Sequence, residues 1–125
     1  DSLVGFLRGD LDAHSPSSDH TIVFMHHPLF SKSADEPDDG VAIIPLKRRR
    51  TILDMLREHE TSAVFAGHWH RNNYTTDGDM LMVISGPVGF PIADDPSGLR
   101  IVKVYDDRVE HEYFGMGDIP ISVEL

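Results

Sequence analysis

Two short runs, residues 21–25 (TIVFM) and 63–66 (AVFA), are apolar at nearly every position. Alternation would mark a strand with one wet face; its absence marks strands covered on both faces, as in a parallel sheet flanked by other layers. Between the runs, Pro45 suits a first helical turn, and Leu46, Ile52, Leu53 and Leu56 fall on one face through about His59. Strand, helix, strand in that order reads as a βαβ crossover, right-handed in nearly all cases. Both strands then end at the same edge of one sheet.

The flanking segments fit the same α/β plan. Leu3, Phe6, Leu7 and Leu11 have helical spacing over residues 1–13 behind an Asp1 or Ser2 cap, although Gly5 and Gly9 each weaken such a helix by about 1 kcal/mol relative to Ala. Residues 14–20 form a Ser-rich loop, and residues 31–40 a polar one. After residue 66 the pattern changes to hairpins: residues 72–76 and 80–85 flank a Thr-Asp-Gly-Asp turn, and residues 99–105 and 108–114 flank Asp106-Asp107. Residues 86–98 are a Gly/Pro loop. There is no internal repeat.

Composition narrows the function. The chain has 125 residues, 40% hydrophobic and 26% charged, which suits one globular domain burying roughly two-thirds of its unfolded surface. A net charge of −10 argues against a nucleic-acid-binding surface. No apolar run approaches the ~20 residues of a membrane span. The absence of Cys excludes a cysteine nucleophile, a thiolate zinc site and disulfides. The chain begins at Asp1 rather than Met, so an upstream segment is expected to be missing.

Chemistry gathers at the two strand ends. Met25-His26-His27-Pro28 follows the first strand and Gly67-His68-Trp69-His70 the second. Ligands of α/β sheets bind outside the carboxyl ends of the strands. Taken alone, His-His-Pro fits two histidines satisfied by hydrogen bonds or solvent, and H-x-H also occurs in zinc amidohydrolases. Together, the crossover puts His26, His68 and His70 at one sheet edge, and three converging imidazoles point to a metal. They could fill a zinc site with one open position, but no residue clearly offers the bridging carboxylate that a two-metal site wants.

Strand-HHP, helix, strand-GHxH resembles the second half of the calcineurin-like metallophosphoesterases. Arg71-Asn72 after GHxH, Ser85 and Gly89, and Asp95-Pro96-Ser97-Gly98-Leu99-Arg100 resemble the subgroup of calcineurin-like phosphoesterase-domain proteins. The resemblance implies half of a two-sheet α/β sandwich with flanking helices, residues 1–125 being the C-terminal part of a single domain. It implies hydrolysis of a phosphate ester at two di- or trivalent metal ions (Fe, Mn or Zn). His26 and His68 would share one metal, His70 would go to the other, and His27 would stand beside the ligands. Trp69, Asn72 and Phe90 would shape the substrate pocket.

The family's D-x-H, G-D and G-N-H-[D/E] motifs, which supply a bridging Asp, an Asn ligand and the general acid, lie upstream of the HHP strand and do not occur here. The chain by itself is therefore expected to be inactive, to need the missing N-terminal half as partner, and to self-associate through uncovered edges. The rival from another class is a stand-alone, non-catalytic metal-binding or interaction module.

Several residues carry plainer expectations. Lys47-Arg48-Arg49-Arg50 reads as a solvated helix face, and Asp35, Glu36, Asp38 and Asp39 as a solvated loop rather than a lid. His14, His20 and His59 read as surface residues and His111 as structural. Trp69 could stack on substrate or pack beneath the site.

Overall fold

A computed structural model describes residues 2–38, 40, 42–92 and 94–125. The expected cap at Asp1 and the acid Asp39 lie outside the described residues. Helix α1 (Ser2–His14) leads through a short 3₁₀ turn into strand β1 (Ile22–Met25), then α2 (Leu46–Glu58) and β2 (Ala63–Ala66). Strands β3 (Asn73–Asp77) and β4 (Met80–Ile84) form one hairpin, and β5 (Gly98–Val104) and β6 (Val109–Gly115) a second.

The four-stranded sheet has the order β1-β2-β4-β3, with β5-β6 as a separate antiparallel pair. β1 runs parallel to β2, with Ile22 opposite Ala63 and Met25 opposite Ala66, so α2 is the crossover of a βαβ unit. β4 is also parallel to β2, and β3 returns antiparallel beside β4. Gly78, at φ +60°, turns the two-residue loop between them.

Alternation along the sheet divides the core in two. Val64 and Met82 face the helices and pack with Leu11, Leu29, Phe30, Ile52, Leu53, Met55 and Leu56. Ala63, Phe65 and Val83 face the other way, where Val102 of β5 and Val109 of β6 meet them. Burial of one such side chain contributes about 1.5–3 kcal/mol. On α1 the stripe that reaches the core is Val4, Leu7 and Leu11, while Leu3 and Phe6 stay exposed, so the expected apolar face is rotated by one residue.

The basic run is not a uniform solvated face. Arg50 is exposed and pairs with Asp35 at 3.1 Å. Arg49 has 0% exposure. Its guanidinium donates to the carbonyls of Ile44 (3.1 Å), Ala34 (3.0 Å) and Glu36 (2.7 Å) and lies 3.4 Å from Asp38 Oδ1. Asp38 also accepts the Leu46 N–H at 2.6 Å, satisfying a donor of the first turn of α2. The acidic loop is thus wrapped around one arginine, which replaces the water its carbonyls would otherwise need.

Two histidines expected at the surface are structural ties. His20 Nε2 donates to the Tyr105 carbonyl at 2.7 Å, leaving Nδ1 to accept from Ser62 Oγ at 2.8 Å, so it bridges the two sheets. His59 lies 2.8 Å from the Met55 carbonyl and 2.9 Å from Asp12, joining α2 to α1; these two partners raise its pKa. Beyond it, Glu60 takes a left-handed φ of +49°. Thr61 N–H donates to Leu56 O and Glu60 N–H to Arg57 O, the bond pair of a Schellman cap without its usual glycine.

Two stability measurements follow from this architecture, both read by urea unfolding. Arg49→Ala should destabilise the fold by about 3 kcal/mol, since several buried acceptors lose their donor, whereas Arg50→Ala should change it by no more than about 0.5 kcal/mol. Equal effects would remove Arg49 from its central place. Glu60→Gly should stabilise by about 0.5–1 kcal/mol by relieving the left-handed strain and removing an acid from a helix C-terminus. A loss of stability would show that the Glu60 side chain contributes more than its backbone costs.

Candidate metal centre

The parallel register sets the strand ends level. Gly67 N–H donates to the His26 carbonyl at 3.1 Å, continuing the ladder one step past Met25 and Ala66. Ser85 N–H donates to the Ala66 carbonyl at 2.8 Å, bringing the end of β4 alongside. His26 and His27 therefore leave the sheet beside Gly67–His70.

His68 Nδ1 lies 3.1 Å from His26 Nε2. His27 joins them, with ring centroids 4.0 Å from His68 and 4.8 Å from His26. One ligand atom from each of the three lies within 4.8 Å of the others. Two nitrogens sharing one ion at ~2.0–2.1 Å sit roughly 3 Å apart, so the His26–His68 spacing fits a common ion. Partial burial, then the neighbouring His68 and His26, lower the His27 pKa and favour the neutral imidazole that metals require.

The backbone after β2 is unusual. His68 has φ +66° and His70 φ +53°, both in the left-handed region, with Trp69 N–H donating to Gly67 O at 2.8 Å between them. Such residues cost of order 1–2 kcal/mol each and concentrate at functional sites. The zigzag sends the two histidines to different neighbours. His70 Nδ1 donates to the Phe90 carbonyl at 2.8 Å, which leaves Nε2 as its lone-pair atom. His70 is not in the close group of three; it faces the loop after β4.

That loop is tied down by residues the sequence did not single out for this task. Asn72 N–H donates to Asp95 at 2.6 Å, while its Oδ1 accepts from Gly86 N–H (2.8 Å) and Arg100 (2.5 Å). Arg100 also meets His111 Nδ1 at 2.8 Å, and burial followed by that guanidinium lowers the His111 pKa. Asn72, expected to shape a pocket, has its side-chain oxygen committed to this tie. Trp69 is fixed by its indole N–H, which donates to the Ala42 carbonyl at 2.8 Å, and Arg71 lies over its ring at 4.6 Å. Phe90 is exposed at the loop tip. The closeness of His27 also escaped the sequence: past the last residue of a strand, alternation no longer assigns consecutive side chains to opposite faces.

A mixed sheet with histidines at its carboxyl edge and a second antiparallel sheet is compatible with the metallophosphoesterase-like α/β fold, and the homologues of the chain are calcineurin-like phosphoesterases. Serine/threonine-protein phosphatase CPPED1 of Homo sapiens is 36% identical over 100 residues, 80% of this chain and 32% of the human protein. Its Danio rerio counterpart is 35% identical over 114 residues, 90% of the chain and 36% of that protein. A probable cyclic nucleotide phosphodiesterase of Rhodococcus erythropolis is 25% identical over 131 residues, 94% of the chain and 40% of that protein. The chain thus spans about a third of the length of the CPPED1 relatives it matches. No family model matches it.

Asn72→Ala should destabilise the chain by about 2 kcal/mol, because Gly86 N–H and Arg100 lose their acceptor. The Ile92 amide, which donates to the His70 carbonyl at 3.0 Å, should then exchange with solvent faster. Unchanged exchange at Ile92 would show that the loop is held in place without Asn72.

Proposed function

We propose that this chain supplies histidine ligands to a two-metal phosphoesterase centre, with His26 and His68 on one ion, His70 on the other, and His27 beside them. The observation that carries this is the 3.1 Å approach of His68 Nδ1 to His26 Nε2 at level strand ends. A surface pair of imidazoles gains little from such a contact unless an ion or a shared proton holds it. The Nδ1–H of His70, held by Phe90 O, orients that ring and presents Nε2. Iron, manganese and zinc all suit this donor set. A bound ion supplies Lewis-acid stabilisation of charge on the phosphoryl oxygens.

The close group among the described residues contains no carboxylate. We infer that the bridging carboxylate and the proton donor come from protein outside these 125 residues, in keeping with relatives about two and a half times as long. The chain would then be the C-terminal part of one domain, with the β5-β6 layer belonging to the second sheet of a sandwich; the packing of Val102 and Val109 on the first sheet supports this. Strand β1 is at an edge of its sheet and Phe24 on it is 75% exposed, which supports association through that edge. Among the described residues no helix is long and apolar enough to cross a membrane. The substrate is a phosphate ester. The relatives of higher identity are named protein phosphatases, which favours phosphoserine or phosphothreonine in a protein over a cyclic nucleotide.

Elemental analysis after incubation with manganese, zinc or iron tests the centre. Wild-type chain should retain metal, His26→Ala and His68→Ala should lose it, and His27→Ala should keep most of it. Equal retention by wild type and His68→Ala would remove the histidine pair from the centre.

A further inference from the structure

Beside the histidines lies a cleft of about 590 Å³ lined by Ser31, Lys32, Glu36, Trp69, Arg71 and Asn73, among others. Trp69 stands between His68 and His70 in the chain, so one wall of the cleft is built from the histidine segment itself.

The cations in this cleft are two of the few among the described residues that meet no carboxylate. Arg8, Arg49, Arg50, Arg57 and Arg108 each meet a carboxylate. Among the described residues the Lys32 ammonium and the Arg71 guanidinium form no such pair; Lys47, Arg100 and Lys103 do not either, but only Lys32 and Arg71 line this cleft. The acid present, Glu36, is held by its own loop: it accepts from the backbone N–H groups of Ser31 at 2.7 Å and Lys32 at 3.0 Å. The walls are cross-linked by hydrogen bonds. Asn73 Nδ2 donates to the Ser31 carbonyl at 2.8 Å, joining the two sides, and Trp69 is pinned through Ala42 with Arg71 stacked on its ring. A guanidinium stacked on an indole still has its in-plane N–H groups free to grip an oxyanion. In a chain of net charge −10, such a local positive site is a selective feature.

We propose that this cleft is a subsite for a second anionic group of the substrate, a carboxylate close to the phosphorylated residue of a peptide; this rests on the phosphoesterase reading of the histidines. Arg71 lies three Cα–Cα steps along the chain from His68, a span of at most ~11 Å. An extended peptide advances ~3.3 Å per residue, so the carboxylate belongs two or three residues from the phosphoserine.

Trp69 is the single tryptophan and reports binding by its fluorescence. Manganese-loaded chain is titrated with a phosphoserine peptide carrying glutamates at the second and third flanking positions, and with its glutamine counterpart. Metal content is measured on the same samples. Wild type should bind the glutamate peptide about fivefold to tenfold more tightly, and Arg71→Gln and Lys32→Gln should each reduce that ratio without loss of metal. Equal binding of the two peptides, or a ratio unchanged in both variants, with metal retained, overturns the subsite and leaves the metal centre standing. Absence of metal together with absence of peptide binding overturns both.

Discussion

Parallel pairing of β1 with β2 is the constraint on which the rest of the molecule depends. Parallel strands need a crossover, and here the crossover is α2, whose buried Ile52, Leu53, Met55 and Leu56 lie against the same face as Val64 and Met82. The register that places Met25 opposite Ala66 also decides where the chain leaves the sheet. A slip of one residue would turn Val64 away from the helices and carry His68 past His26. The hydrophobic core and the histidine pair are therefore fixed by one alignment, and apolar burial stabilises the site's geometry without touching its chemistry.

Much of this alignment was legible in the sequence because it rests on local patterns of strong contrast. Unbroken apolar runs located β1 and β2, but the expected cover on both faces holds for β2 only: β1 is an edge strand with Phe24 75% exposed. The helical stripe located α2, and Gly78 and the Asp106-Asp107 pair marked the turns of two hairpins. What escaped were polar groups whose partners lie far along the chain. Arg49 sits in a run of four basic residues with nothing local to distinguish it; its burial follows from carbonyls of Ala34, Glu36 and Ile44 that only the folded loop brings together. The same holds for His20 and for Asn72, whose partners Tyr105 and Arg100 come from the β5-β6 hairpin. The expected ligands His26 and His68 meet at a strand end that periodicity could locate, whereas the nearness of His27 depends on a bend beyond its reach.

The two loops that frame the histidines are held by different devices. The segment before α2 closes around the guanidinium of Arg49, and the segment after β4 is fastened through Asn72 to Arg100. Each loop surrenders its water to one internal cation, so each behaves as an extension of the sheet rather than as a free tether. Trp69 is wedged against the first loop through Ala42 and His70 against the second through Phe90. The GHWH segment is thereby braced from both sides, as the proposed metal centre would require of nitrogens held in a set geometry.

The left-handed backbone at His68 and His70 also limits what evolution can do there. Valine, isoleucine and other bulky or branched side chains are excluded by sterics, whatever their chemistry. The residues that tolerate this conformation most readily are glycine, asparagine and aspartate. Two of those three carry oxygen donors of their own. Apart from glycine, the side chains this backbone admits with least strain are thus ones with an oxygen that a cation could use.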